Sequence, residues 1–117
     1  MTESALAIAR TIVDSLEKKK GEDILLLDLI GECSFTDYFV ICTGSSERAL
    51  KSLADEVKGR VKEVHVINER STEGDSSSGW VLIDYGDVIL HLFSKLLRKY
   101  YQLEELWSEG KVLLRFQ

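Results

Sequence analysis

The stretch Gly79-Trp80-Val81-Leu82-Ile83-Asp84-Tyr85-Gly86-Asp87-Val88-Ile89-Leu90-His91-Leu92-Phe93 decides the fold. Two runs of strand-forming residues flank a tight polar turn, Asp84-Tyr85-Gly86-Asp87, and that pattern predicts a β-hairpin. The turn sets two carboxylates and a tyrosine at the tip, and a tryptophan opens the first strand. A hairpin needs a tight turn, but it does not need an aromatic ring between two acids. Tyr85 and Trp80 are therefore expected to be contact anchors for a basic partner surface rather than core.

Upstream, Ala5, Ile8, Ala9, Ile12, Val13 and Leu16 recur at helical spacing, with Thr2 or Ser4 as cap and Lys18-Lys19-Lys20-Gly21 as a dipole-matched stop. Ile24 to Leu29 is an apolar run of strand length, expected to be buried on both faces. Asp37 to Thr43 predicts a second strand. Gly44-Ser45-Ser46 then opens a helix lined by Leu50, Leu53, Ala54, Val57 and Val61. Val64 to Asn68 is expected to be a third, short strand, and Glu69 to Ser78 an exposed loop. Downstream of the hairpin, Ser94 caps a predicted helix through Tyr101, Leu103 to Trp107 predicts another helical turn, and Lys111 to Phe116 predicts a final strand. Tyr100 and Trp107 are expected to pack against the sheet. With no repeat and no linker, residues 1–117 predict a single α/β domain with a mixed sheet flanked by helices.

Composition narrows the function. A hydrophobic share of 44% with 30% charged residues suits a globular core. No apolar run reaches the roughly 18 residues of a membrane span. The N-terminus resembles neither a signal nor a transit peptide, so a soluble cytoplasmic protein is expected. The net charge is −5, from 20 acids and 15 bases. An acidic chain is poorly suited to gripping phosphate backbone and better suited to a basic protein. Cys33 and Cys42 lack CxxC neighbours and a histidine at ligand spacing, so they are expected to be reduced thiols rather than metal ligands.

Other constellations give weaker signals. Thr43-Gly44-Ser45-Ser46 joins a strand to a helix, and its amides could hold an anion. In a nucleotidyltransferase such a turn cradles the triphosphate, while a nearby strand carries two carboxylates one residue apart for magnesium. The strand expected after this helix, Val64 to Asn68, has no such pair, so a plain helix cap is the better reading. Asp84, Asp87 and Glu73 could together attract magnesium, yet aspartates beside a glycine are ordinary turn residues. His65 and His91 stand alone in apolar runs, and nothing pairs them with a nucleophile.

Three motifs then carry a resemblance. Ser34 to Ser46, with Thr36-Asp37-Tyr38-Phe39-Val40-Ile41-Cys42-Thr43-Gly44 at its centre, resembles a signature of the ribosomal silencing factor family (RsfS, or iojap). Trp80 to Phe93 resembles the same family's Trp-Val-Leu-x-Asp-Tyr-Gly-Asp segment. Arg98-Lys99-Tyr100-Tyr101-Gln102-Leu103-Glu104-Glu105-Leu106-Trp107 resembles its closing motif, and Glu73-Gly74 matches its Glu-Gly. The loop before Trp80 is longer and serine-rich, Arg48 stands where the family often has histidine, and residues 110–117 lie outside the motifs.

The resemblance implies a nucleotidyltransferase-like fold without the catalytic acid pair. It also implies binding to ribosomal protein L-fourteen on the large subunit, which blocks joining of the small subunit under nutrient shortage. The expected protein-interaction set is Glu73, Trp80, Asp84, Tyr85, Gly86 and Asp87, with Tyr38 and Tyr101 from the flanking motifs. No catalytic residue, cofactor or metal is expected, direct nucleic-acid contact is expected to be slight, and a homodimer stays open. The alternative is a nucleotidyltransferase or other nucleotide-binding enzyme using Thr43 to Ser46 with Asp84 and Asp87.

Overall fold

The computed structural model describes residues 4–31, 33–102 and 111–116. Helix α1 (Ala5–Lys18) starts where the Ser4 side chain accepts the Ala7 amide, which satisfies one of the unpaired donors of a first turn. Its stripe of Ile8, Ala9, Ile12, Val13 and Leu16 is buried. Helix α2 (Glu47–His65) is capped in the same way by Ser46, and it buries Leu50, Leu53, Ala54, Val57, Val61 and His65. Both stripes follow the helical period, so the two helices pack side by side on one face of the sheet.

That sheet has six strands: β1 (Glu22–Asp28), β2 (Tyr38–Gly44), β3 (Ser71–Asp75), β4 (Trp80–Asp84), β5 (Val88–Ser94) and β6 (Lys111–Phe116), in the order β3-β4-β5-β2-β1-β6. Among the described residues only β2 and β5 run parallel, and the other pairings are antiparallel. Leu26, Val40, Cys42, Ile83, Leu90 and Leu92 face the two helices. On the opposite face Leu25, Leu27, Phe39, Ile41, Ile89 and Phe93 form a second cluster, against which Trp80, Leu82 and Leu97 pack while half-buried. Two covered faces explain why the central strands read as unbroken apolar runs. The short helix α3 (Lys95–Tyr101) follows β5 directly, capped by Ser94.

The hairpin is present as β4 and β5, paired from Trp80↔Phe93 to Asp84↔Ile89. Four expectations are corrected. Val64 to Asn68 is not a strand: α2 runs through His65, which is buried beside Thr11 of α1 (Nε2 to Oγ1, 2.7 Å), and Val66 ends it in a left-handed conformation. The residues from Ser71 to Asp75, read as loop, form edge strand β3, held by backbone pairing to β4 and not by buried side chains. Tyr85 is core, only 9% exposed, and Tyr38 is buried too. Tyr100, expected to pack, is 75% exposed. The expected turn at Leu103 to Trp107 lies outside the described residues.

Candidate protein-interaction site

Alternation along β4 and β5 puts Trp80, Leu82, His91 and Phe93 on the sheet face opposite α1 and α2, as two directly paired couples. Ser94 accepts the Leu97 amide at 3.2 Å and starts α3 there, which carries Leu97 and Tyr101 over the same patch. The Tyr101 ring lies 5.1 Å from that of Trp80, and the Trp80 ring stacks on Phe93 at 5.4 Å. Two side chains hold α3 in place. Arg98 Nη1 donates to the Asp23 carbonyl and to Thr43 Oγ1, and Lys95 pairs with Glu22. On the other side Gly74 lets β3 approach closely. At φ +73° it sits in the left-handed region, and a Cβ there would collide with the Trp80 carbonyl oxygen.

The result is a groove of about 310 Å³ lined by Glu73, Gly74, Ser78, Trp80, Leu82, Leu97 and Tyr101. Its walls are mostly apolar, with the Glu73 carboxylate beside them. Tyr101 is 40% exposed, and Leu96 and Tyr100 extend the apolar surface along α3. Beneath it, the Trp80 Nε1–H donates to His91 Nδ1 at 3.4 Å. Burial pulls the His91 pKa down to about 4, so the ring is neutral at pH 7.

The expected site residues fall in two places. Glu73, Trp80 and Tyr101 meet in the groove. Asp84, Tyr85, Gly86, Asp87 and Tyr38 lie at the opposite end of β4, four residues or roughly 13 Å away. There the turn is occupied with its own structure. Asp84 Oδ1 accepts the Gly86 amide at 2.6 Å, and Gly86 supplies the positive φ of 90° that the turn requires. Tyr85 N–H donates to the Val88 carbonyl, and the Asp87 carbonyl accepts the amides of Asp37 and Tyr38. The Tyr85 hydroxyl is buried without a partner among the described residues, and burial pushes its pKa well above the usual tyrosine value. Neither Tyr85 nor Tyr38 is presented as an exposed anchor.

The comparison with a nucleotidyltransferase site also needs correcting. The strand that follows α2 is β3, and it does carry two acids one residue apart, Glu73 and Asp75. Asp75 is engaged, however. Its carboxylate accepts the Ser77 hydroxyl at 2.6 Å and the Ser78 amide at 2.9 Å, capping the 3-10 turn Ser76–Ser78 and holding its pKa below the usual value. No group of three His, Cys, Asp or Glu side chains among the described residues is placed to hold a metal ion. At the strand-to-helix turn, Thr43 Oγ1 is taken by Arg98, and the Ser46 hydroxyl by the Ala49 amide. Burial pushes the Cys42 thiol up to about 12, far from a thiolate.

Leu82 and Leu97 are not singled out by the sequence reading, which takes His91 only as an isolated histidine of an apolar run and Gly74 only as part of the Glu-Gly match. Leu82 is two residues after Trp80, and Leu97 is four before Tyr101. Both spacings place neighbours on one face, so the signal was there.

The family model described as "Ribosomal silencing factor during starvation" matches residues 2–115. The Bacillus subtilis ribosomal silencing factor RsfS is 41% identical over 107 residues, spanning 92% of this chain and 87% of the relative. This chain belongs to the ribosomal silencing factor family. Membership gives it a ribosome-associated role in silencing translation. A crystal structure of a Chromobacterium violaceum protein superposes with a TM-score of 0.86 at 35% identity, covering 91% of this chain and 88% of that one. One from Bacillus halodurans gives 0.77 at 37%, covering 87% and 94%. The α/β architecture with its mixed sheet is thus shared by solved structures. A mouse relative, "Mitochondrial assembly of ribosomal large subunit protein 1", is 29% identical, and this chain spans 43% of its length. No described helix is long and apolar enough to cross a membrane.

Proposed function

We propose that this silencing factor is a non-catalytic module that seats the Trp80–Tyr101 groove on ribosomal protein L-fourteen of the large subunit. Bound there, it keeps the small subunit from joining and represses translation under nutrient limitation. The observation that carries this reading is the groove itself. A short helix holds one aromatic ring against a second, half-buried one on the sheet face away from α1 and α2, beside an acid, in a member of the ribosomal silencing factor family. Half-exposed aromatics around an apolar centre with a charged rim match the anatomy of protein interfaces. The net charge of −5 suits a basic ribosomal protein and would steer the encounter. The mouse relative's name ties that protein to assembly of the large ribosomal subunit, which supports reading the large rather than the small subunit as receptor.

Tyr101→Ala is the cleanest test, because Tyr101 is exposed on α3 and its loss leaves both apolar clusters intact. The wild-type chain is expected to co-sediment with isolated large subunits and not with small ones. Truncating a central aromatic anchor costs at least about 2 kcal/mol, so Tyr101→Ala should bind roughly 30-fold more weakly at an unchanged melting temperature. Wild-type affinity in that variant would remove the groove from the interface.

A further inference from the structure

His91 does something in this groove that packing does not require. The residue is 95% buried, and its ring lies in an aromatic layer: edge-on to Phe39 at 4.6 Å, and stacked on Phe93 at 6.0 Å with 5° between the planes. A plain hydrocarbon ring of similar size would fill that place. The imidazole adds two nitrogens. Because the Trp80 indole N–H donates to Nδ1, that nitrogen is the bare acceptor and the ring proton sits on Nε2. Nε2 is buried and has no hydrogen-bond partner among the described residues. A buried unmet donor opposes folding. The one bond gained is to an indole on a half-open face, where water could satisfy the same N–H.

We propose that His91 is a positioning residue. Through its Nδ1 acceptor it fixes the Trp80 indole in the orientation that a docking protein meets, and it does so at a net loss to fold stability. The inference rests on the reading of the Trp80–Tyr101 groove as the docking site. Its physical basis is preorganisation. A large flat side chain lining an open groove has alternative rotamers, and restricting them before contact lowers the ordering that binding must oppose. The Trp80–His91 ring pair, 6.1 Å apart and 25° from parallel, holds the plane of the indole, and the hydrogen bond chooses between its two faces.

The test compares His91→Phe, which keeps the aromatic layer and removes both nitrogens, with His91→Asn, whose side-chain oxygen can stand near the position of Nδ1. Three quantities are read for each: the denaturation midpoint, the affinity for isolated large subunits, and the indole N–H resonance of Trp80, assigned by its disappearance in Trp80→Phe. His91→Phe should keep or raise the midpoint, shift and broaden the indole signal, and bind about five-fold more weakly, the factor expected for one lost hydrogen bond. His91→Asn should recover a sharp indole signal and part of the affinity. The proposal is overturned if His91→Phe lowers the midpoint and weakens binding only in proportion, or if the indole signal does not move. It is also overturned if His91→Phe binds like wild type while Tyr101→Ala does not, an outcome that leaves the docking site standing. Wild-type binding by Tyr101→Ala and His91→Phe together would remove the docking site and the proposal at once.

Discussion

Tyr85 and Tyr101 are neighbours to the same structural plan and end in opposite environments. Sequence places Tyr85 on a turn between two acids, which suggests a wet ring. In the fold its ring joins the buried cluster under α2, because the turn is bonded back to the Asp37–Tyr38 segment and cannot swing outward. Nothing local encodes that; it needs the long-range pairing of β2 and β5. The Tyr85 hydroxyl is unpartnered among the described residues, so Tyr85→Phe should leave stability unchanged or higher, whereas Tyr85→Ala should lose about 3–5 kcal/mol. Urea unfolding of the two variants checks this. His91 gives a second residue-scale outcome. Burial holds its folded pKa at about 4, below the ordinary histidine value of 6.5. Between those values the unfolded chain binds a proton that the native state refuses. His91 therefore opposes unfolding less as pH falls from about 6.5 toward 4, with up to about 3 kcal/mol lost across the window. Unfolding midpoints of wild type and His91→Phe should diverge over that pH range and run parallel above it.

At the scale of elements, sequence was most legible where periodicity and caps agreed. Ser4, Ser46 and Ser94 each open a helix as their positions suggest. The hairpin, both central strands and the final strand also follow from pattern. Two elements misled. The β-branched run Val64-His65-Val66-Ile67 has strand propensity, yet Val57, Val61 and His65 continue the four-residue ladder of α2, and packing against α1 prevailed over propensity. Strand β3 carries no buried apolar residue, so its existence rests on backbone pairing that no side-chain pattern announces. Helix α3 shows how an element makes the site. Seven residues long with no buried side chain, it depends on its cap and on Arg98. Ser94→Ala should cost about 1 kcal/mol and loosen α3. Amide exchange should accelerate at Leu97 to Tyr101, and binding to the large subunit should weaken with it, while β4 and β5 stay protected. Unchanged exchange in α3 would show that the Arg98 and Lys95 contacts suffice to hold it without the cap.

At the scale of the whole molecule, the chain measures 37 × 33 × 23 Å, and no described group of side chains is arranged for metal chemistry. The proposed mechanism works through occupied volume. Two rigid bodies cannot share one face, so a domain of these dimensions seated on the joining face would exclude a docking subunit. Inhibition of this kind follows mass action: it should saturate when every large subunit is filled and reverse on dilution. Order of addition should also matter. Given to free large subunits first, the protein should abolish joining, read by light scattering. Given to subunits already joined, it should act only as fast as they separate spontaneously, because the receptor face is covered. Tyr101→Ala should shift the first curve to roughly 30-fold higher concentration and leave its plateau intact. Equal inhibition in both orders, at times short against spontaneous separation, would mean active splitting, and inactivation that outlasts removal of the protein would mean chemistry. Either result would overturn exclusion as the mechanism.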